Sequence, residues 1–368
     1  MTNSFLAATL LATSLLATST AMARDDDDRD PGKPLTNAVF RDWPYNQNLL
    51  DNGPLLTKSV NADPAVSLVL HVGDIHSGSM PCTSAAILPP IPTSDPGWNQ
   101  KVFHQFQQFA APLVYTPGDN EWSDCHKSKE KSAGAPLKEL ASLRSLFFAK
   151  PGRSLGGIEK PLISQAQQID SAHPVDAQFV ENVLWEDARV VFVTLNMPGS
   201  NNDTLPWTGN FIDPAAQAKE VAERTDADIR WLQAAFARAE ARHAKAVVIG
   251  LQADMWDPAA AAAGGDGLYA YTPFVRKLAE LSARFRKPVL LLNGDSHLYG
   301  ADRPLADPNS AAGRIHATPP VANLLRITVQ GSTNAPAEWL RLTIDHRDPN
   351  VFSWRNVSYC KDPLVSCQ

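Results

Sequence analysis

The sequence predicts an α/β fold with a layered core. Short apolar runs alternate with helix-compatible stretches, several of these runs end in aspartate, and three strand-like runs follow from Leu324 onward. Alternation of this kind is typical of sheets that carry helices on their faces. With 368 residues, of which 44% are hydrophobic, the chain is long enough to build one large core.

The first half of the chain begins this alternation. Residues 37–43 form a short apolar run, and a helix-compatible stretch follows to about Lys58. Residues 66–72 are almost wholly apolar, as expected of a strand that is buried on both faces. Residues 98–109 place apolar side chains at helical spacing and predict a helix, and residues 112–116 predict the next strand.

The second half of the chain continues the same order. Strands are predicted at three further apolar runs, residues 190–195, 246–251 and 288–292. Helices are predicted at residues 226–243, where Thr225 can serve as the N-cap, and at residues 272–285.

The closing part of the chain has a different pattern. Residues 324–331, 339–345 and 351–355 look like antiparallel strands that complete a sheet edge or a second sheet. A Pro-rich stretch at 81–97 and a flexible insertion at 259–267 are local interruptions. Because no repeat or composition break divides the chain, we expect a single domain over residues 37–368.

The N-terminus is typical of an exported protein. Residues 1–23 hold an apolar run that ends in Ala-Met-Ala, which predicts a signal peptide cut before Arg24. A buried N-terminal helix or a membrane anchor is the alternative, but the run is short and rich in Ser and Thr. Residues 24–36 follow as an acidic, flexible tail. We therefore expect a periplasmic or secreted protein that has no membrane segment after cleavage.

The four cysteines fit an oxidising compartment. An even number in an exported chain predicts two disulfides, for which three pairings are possible. We favour Cys82–Cys125 and Cys360–Cys367, because the second pair closes a short loop near the C-terminus. The chain has no C-x-x-C motif, which disfavours a thiol redox site or a zinc–thiolate site.

The charge of the chain excludes some classes of partner. The net charge is −6 and the isoelectric point is near 5.8. A general nucleic-acid binder needs a basic surface, and so does a protein held on membranes by polybasic segments. We therefore expect neither nucleic acid nor membrane as a partner.

Acidic residues recur where the predicted strands end. In an open α/β sheet the carboxyl ends of the strands form one rim where ligands bind, so these side chains are expected to meet. Several carboxylates at one rim repel each other, and divalent cations are the natural way to neutralise them. A single aspartate of this kind is as well explained by a turn, but a series is not. The candidates are Asp42, Asp74, Asp119, Asp254 and Asp295, with His297 beside the last.

The motifs around these residues resemble those of the calcineurin-like metallophosphoesterases. GDIH at 73–76 matches the GD motif of that family, TPGDNE at 116–121 stands in the place of GNHE, and GDSH at 294–297 in the place of GHxH. RDWPY at 41–45 stands where D-x-H is expected. The resemblance covers about residues 37–345 and implies a layered sandwich of two mixed β-sheets flanked by helices, with two metal ions between the sheets.

The resemblance also implies a role for each matched residue. Asp74 is expected to bridge the two metal ions, and Asn120 to orient the phosphate. His76 is the candidate for the missing leaving-group acid, with His126 as the alternative. The expected metal ligands are Asp42, Asp74, Asp119, Gln252, Asp254, Asp295 and His297.

The departures from the family pattern bear on the choice of metal. The histidine of D-x-H is Pro44 here, the strand-end histidine is Gln252, and the first histidine of GHxH is Asp295. Asp119 and Asn120 replace the Asn-His pair of GNH. Because oxygen ligands favour hard ions, we expect Mn²⁺, Mg²⁺ or Ca²⁺ rather than Zn²⁺.

Two functions follow from this pattern. The first is a phosphoester hydrolase that uses two divalent cations and a metal-bound hydroxide on a small-molecule substrate. The alternative is a catalytically degenerate member of the same fold that binds an ion or a ligand. A serine hydrolase and a dinucleotide-binding enzyme are disfavoured, because neither G-x-S-x-G nor a G-x-G-x-x-G after the first strand occurs. The substrate and the oligomeric state stay open.

Overall fold

A computed structural model describes Met1 and residues 33–82, 97–130, 134–168 and 170–367. The strands in chain order are β1 Leu35–Phe40, β2 Val66–Val72, β3 Pro112–Thr116, β4 Leu155–Gly156, β5 Ile163–Ser164, β6 Val183–Asp187, β7 Val190–Thr194, β8 Ala246–Gly250, β9 Val289–Asn293, β10 Gly300–Asp302, β11 Leu324–Thr328, β12 Ala337–Ile344 and β13 Phe352–Cys360. The right-handed helices are Gln47–Asp51, Gly53–Asn61, Trp98–Phe106, Pro136–Phe147, Pro214–Ala241, Pro258–Ala262, Thr272–Phe285 and Ala311–His316.

The strands form two mixed sheets. The first has six strands in the order β13-β12-β1-β2-β3-β4, and the second has seven in the order β10-β11-β9-β8-β7-β6-β5. Parallel pairs occupy the centre of each sheet, and antiparallel strands lie at the edges. The predicted fold class, a layered α/β sandwich of two mixed sheets flanked by helices, is confirmed.

The two sheets face each other across a core of aliphatic side chains. Leu70 and Val114 of the first sheet belong to the same buried cluster as Val248 and Leu290 of the second. Two further clusters lie between the outer faces of the sheets and the helices, one on each side. This packing brings the ends of the central parallel strands of both sheets to one rim.

Strand β1 and the long helix begin earlier than predicted. Leu35 and Thr36, which were assigned to the acidic tail, are buried in β1 opposite Ile344 and Thr343. The helix predicted at 226–243 spans Pro214–Ala241 instead. Asp213 is its N-cap and Pro214 its first residue, which is a stronger start signal than Thr225.

The closing strands confirm only part of the predicted pattern. Strands β12 and β13 are antiparallel as expected. The prediction was wrong for residues 324–331, because β11 pairs in parallel with β9 and is antiparallel only to the short β10. The chain between β9 and β11 crosses over through the helix Ala311–His316, and such a crossover returns a strand in the parallel direction.

Several other predictions concern the covalent and local structure. Both favoured disulfides, Cys82–Cys125 and Cys360–Cys367, are present. The predicted insertion at 259–267 is largely the helix Pro258–Ala262 and the start of a 3₁₀ turn. The predicted signal peptide beyond Met1, and residues 83–96 of the Pro-rich stretch, lie outside the described residues. Among the residues that the structure covers, no helix has the length and apolar character needed to cross a bilayer.

Candidate functional site

Four aspartates meet at the rim where the central strands of both sheets end. Asp42 follows β1, Asp74 follows β2 and Asp119 follows β3, while Asp295 follows β9 of the second sheet. The side chains of the first three are buried. The sequence placed these residues at strand ends, and the two-sheet packing brings them into one acidic site.

The carboxylate of Asp42 contacts the side chains of Arg41 and His297. Its Oδ2 lies 2.7 Å from Nη1 of Arg41 and 3.0 Å from Nδ1 of His297. Burial opposes ionisation of Asp42, but Arg41 and His297 outweigh it and hold the pKa of this carboxyl below its usual value. His297 is half-exposed, so it reaches Asp42 from the solvent side of the site.

Gln252 lies between the other carboxylates. Its Nε2 donates to Oδ2 of Asp74 at 3.1 Å and to Oδ1 of Asp119 at 3.0 Å, and its Oε1 accepts the backbone N–H of Gly199. Because that N–H needs an acceptor, the amide is fixed with its nitrogen toward the carboxylates. Gln252 was predicted as a metal ligand; in this arrangement it is a donor, and ligation requires the amide to turn over.

Asn120 and Tyr45 join the two sides of the acidic site. Nδ2 of Asn120 donates to the Tyr45 hydroxyl at 3.1 Å, and that hydroxyl lies 3.4 Å from Nε2 of His297. The backbone N–H of Asn120 points to Oδ1 of Asp74 at 3.4 Å. Asn120 therefore lies next to Asp74, and its side-chain amide is held by the Tyr45 hydroxyl and the His76 carbonyl.

Asp254 lies one layer outside the four aspartates. Its Oδ1 accepts from Arg326 and from the backbone N–H of Trp256, and its Oδ2 accepts from Ser296 at 2.7 Å. Its own backbone N–H reaches Oδ2 of Asp295 at 3.4 Å. Asp254 was predicted as a ligand, but its Oδ1 is already in an ion pair with Arg326, which suits a residue that positions Asp295.

The histidines proposed as leaving-group acids are placed differently from each other. His76 is buried, its Nδ1 donates to the Ser77 carbonyl at 3.0 Å, and burial lowers its pKa to about 4. Its backbone carbonyl, not its ring, contacts Asn120. Nδ1 of His126 accepts the N–H of Thr208 at 3.0 Å, so this ring holds a neighbouring loop. Neither ring makes a hydrogen bond to the four aspartates.

Sequence reasoning missed several residues at the site. Ser200 donates to Oδ2 of Asp119 and accepts from Nζ of Lys127, both at 2.7 Å. Oε1 of Glu121 accepts three hydrogen bonds, from the backbone N–H of Asp74, the backbone N–H of Gly118 and the Tyr115 hydroxyl. Glu121 and Tyr45 stand inside the matched motifs and Ser200 stands inside the GSNND segment at 199–203, so all three could have been chosen on that ground.

The backbone of the site is unusual. Asp42, Asp74, Asp295 and His297 all have positive φ, between 49° and 72°. The segment 200–203 is a left-handed turn, with φ from 51° to 59°. L-residues adopt this region at a cost of about 1–3 kcal/mol each, and such residues concentrate at functional sites. The conformation turns each strand end so that its side chain faces the site.

Electrostatic repulsion within the site is strong. Burial, and then the carboxylate of Asp119, raise the pKa of both Asp74 and Asp295 well above the usual value. Burial also raises the pKa of Glu121 to about 7. In this electrostatic setting a cation that binds between the carboxylates stabilises the ionised site.

The potential metal ligands of the acidic site partly suit a hard divalent ion. Oδ1 of Asp42 is buried without a hydrogen-bond partner, and the potential metal ligands near it are carboxylate oxygens, which hard ions prefer. Among the described residues, the one compact group of three potential ligands is Cys82, Cys125 and Glu130, but the two sulfurs form a disulfide and offer no thiolate. The acidic site is less compact, so an ion there requires the carboxylates to draw together.

Comparisons with known proteins add little to this description. No family model and no curated protein matches the chain. One similar solved structure is described as GAP50, the anchor in the inner membrane complex of Plasmodium; it is 9% identical, with a TM-score of 0.38, over 89% of this chain and 90% of that one.

Proposed function

We propose that this chain is an exported, metal-dependent phosphoester hydrolase related to the calcineurin-like metallophosphoesterases. The observation that carries the proposal is the meeting of four strand-end aspartates, from both sheets, next to Asn120. Buried carboxylates without matching cations are costly, and they are kept where they bind a cation or react.

Each group of residues has a different role in the proposed site. Asp74, Asp119 and Asp295 hold the divalent charge, while Asp42 and His297 close the other side. A bound divalent ion supplies positive charge that polarises the phosphoryl group and activates a water molecule. The Asn120 amide and the Tyr45 hydroxyl lie at the rim, where they orient the non-reacting oxygens of the substrate.

Two lysines favour an anionic substrate at this rim. Nζ of Lys127 contacts Ser200 at 2.7 Å and Oδ1 of Asp124 at 2.6 Å. Nζ of Lys129 lies 3.2 Å from the other oxygen of Asp124. Both ammonium groups contact Asp124 and also act to lower the pKa of Asp119, so positive charge lies next to the carboxylates on this side of the rim.

The test is metal-dependent turnover. Residues 24–368 are freed of metal with a chelator and assayed against a phosphomonoester, a phosphodiester and a nucleotide with Mn²⁺, Mg²⁺, Ca²⁺ or Zn²⁺. We expect hydrolysis with a hard ion that is lost in Asp119→Asn. Absence of turnover with every ion and every ester class contradicts the proposal.

The second candidate is an ion- or ligand-binding protein on the same scaffold. It is favoured by Gln252, because the Nε2 amide nitrogen between Asp74 and Asp119 already satisfies oxygens that a catalytic ion needs. If this candidate is correct, calorimetry detects binding of an ion or a phosphate ligand. Ester hydrolysis then stays at the uncatalysed rate in the natural protein and in Asn120→Ala alike. Ester turnover that depends on Asn120 excludes it.

The periplasm or the extracellular space is the proposed location. Two disulfides in the structure fit an oxidising compartment. Fractionation of cells expressing the full chain, with N-terminal sequencing of the product, tests both export and cleavage before Arg24.

A further inference from the structure

The two sides of the acidic site differ in what balances their charge. The Asp42 half consists of Asp42, His297 and Arg41, and the Asp74 half consists of Asp74, Asp119 and Asp295. Nη1 of Arg41 lies 2.7 Å from Oδ2 of Asp42, and both side chains are completely buried. A guanidinium does not lose its proton in proteins, so the Asp42 half contains a permanent cation.

Arg41 is built into the fold at this place. Its Nε donates to the carbonyl of Val329, and its own carbonyl accepts from the Ser332 hydroxyl at 2.8 Å. Gly294 provides the space, because a Cβ there would lie 2.8 Å from Cδ of Arg41. These contacts hold the guanidinium beneath the acidic site and prevent it from swinging into solvent.

Among the described residues, the Asp74 half has no cation in direct contact with its carboxylates, since Lys127 reaches Asp119 only through the Ser200 hydroxyl. Within the described ranges, no lysine or arginine nitrogen forms an ion pair with Asp74, Asp119 or Asp295. The donors that do reach these carboxylates are the neutral amide of Gln252 and the Ser200 hydroxyl. This indirect charge reaches one of the three carboxylates, so the Asp74 half still lacks a directly bound cation, which an ion from solution can supply.

Oδ1 of Asp42 shows where the two halves meet. This atom is buried without a partner, while Oδ2 of the same carboxylate holds both Arg41 and His297. The N–H of Asp42 donates to the carbonyl of Gly73 at 3.1 Å, which places Asp42 beside Asp74. One oxygen of Asp42 is thus committed to the guanidinium, and the other has no hydrogen-bond partner in a residue that lies next to the segment carrying Asp74.

We infer that the chain binds one divalent ion, in the Asp74 half, and that the Arg41 guanidinium takes the place of a second ion in the Asp42 half. This inference uses the metal site of the proposed function but differs from the two-ion arrangement that the resemblance implies. A second divalent ion would have to lie within a few ångströms of a buried guanidinium and would be repelled by it.

The test counts bound ions in variants of three residues, His297 and Asp295 of one loop and Asp119 of another. Metal-free residues 24–368 are titrated with Mn²⁺, and the stoichiometry is read by native mass spectrometry and by electron paramagnetic resonance. His297→Ala alters the Asp42 half at a half-exposed position, and Asp295→Asn alters the Asp74 half with the same side-chain shape. Asp119→Asn serves as a second probe of the Asp74 half, and circular dichroism verifies that each variant is folded.

We expect one Mn²⁺ per chain with the spectrum of an isolated ion, retained in His297→Ala and at least tenfold weaker in Asp295→Asn and Asp119→Asn. Two ions per chain with an exchange-coupled spectrum, one of them lost in His297→Ala, overturn the inference. No bound ion overturns both the inference and the proposed hydrolase. One bound ion without ester turnover contradicts only the hydrolase.

Discussion

The acidic site and the cluster around Arg224 are both buried and polar, yet they are balanced in different ways. Nε of Arg224 lies 2.7 Å from Oε1 of Glu220, and its guanidinium also binds Oδ1 and the carbonyl of Asn202. In the acidic site four carboxylates meet, and among the described residues Asp42 alone of the four is paired with a guanidinium, that of Arg41. A paired cluster stabilises the native fold only while both partners are present, whereas an excess of like charge destabilises it and is retained for binding.

The largest effect is expected from Asp74→Asn. Loss of an outer partner of a metal ligand costs about 10–100-fold in activity, so loss of a residue that contacts the ion directly should cost at least about 100-fold. The same change removes one repelled carboxylate, so the metal-free protein should unfold at a higher temperature. Metal-dependent kinetics and a thermal melt without metal measure the two effects. A lower melting temperature with unchanged turnover contradicts the proposed role of this site.

The opposite result is expected for Arg224→Met. Without the guanidinium, Glu220 and the oxygens of Asn202 lose their partner in the interior, which should lower the free energy of unfolding by about 3–5 kcal/mol. Urea denaturation measures the change. The matched control is Arg284→Ala, which breaks a half-exposed pair with Glu240 and should cost no more than about 1 kcal/mol. Equal losses in both variants contradict the comparison.

The buried carboxyl of Glu130 provides another test of how a buried, uncompensated charge lowers stability. Burial, then Asp124 and Asp119, raise its pKa from 4.5 to about 10, although Lys129 and Lys127 act against this. Because the folded pKa lies above the unfolded one, its contribution to stability is complete below about pH 4.5 and is lost as the pH rises toward 10.

Glu130→Gln removes this titration. At pH 8 the variant should be more stable than the natural protein by roughly 1–3 kcal/mol, the usual cost of a polar group buried without compensation, and at pH 4 the two should be close. Urea denaturation at both pH values measures the difference. A gain of the same size at both pH values shows that packing, and not ionisation, is responsible.

The smallest effect is expected from Gly78→Ala at the rim. A Cβ at this position would lie 2.5 Å from Oδ1 of Asn120 and 2.8 Å from Nζ of Lys129, so both groups must shift. A small displacement of a positioning residue should lower kcat/KM by about tenfold, equivalent to about 1.4 kcal/mol. Stability should hardly change, and Gly300→Ala, where nothing lies within 4 Å, is the control. Equal kinetics in both variants argue against a role for Asn120.

The sequence predicted the strand-end aspartates of the site better than the contacts that surround them. Asp74 and Asp119 follow apolar strands whose buried positions leave a clear pattern, and the strand ends had to share a rim. Arg41 could not be assigned in this way, because its contact with Asp42 depends on the positive φ of that residue and on the space above Gly294. The orientation of Gln252 depends on the N–H of Gly199, which is distant in the chain.

The difference between local sequence pattern and long-range contacts also explains the misassigned elements of the fold. The long helix starts at Pro214, where the apolar stripe is weak and the start is set by the cap at Asp213. Strand β11 has the alternation of an edge strand, yet it pairs in parallel with β9 because of the route of the chain between them. Periodicity reports which residues are buried, whereas strand direction depends on connections that it does not encode.

The disulfide between Cys82 and Cys125 joins the segment that follows Asp74 to the segment that follows Asp119, and both sulfurs lie against the carbonyl of Asn120. A bond of this kind forms only where thiols are oxidised. The covalent tie between these two segments therefore depends on the redox state of the compartment that holds the chain. A chain retained among reductants would carry every residue of the site but would lack the covalent tie between its two principal loops.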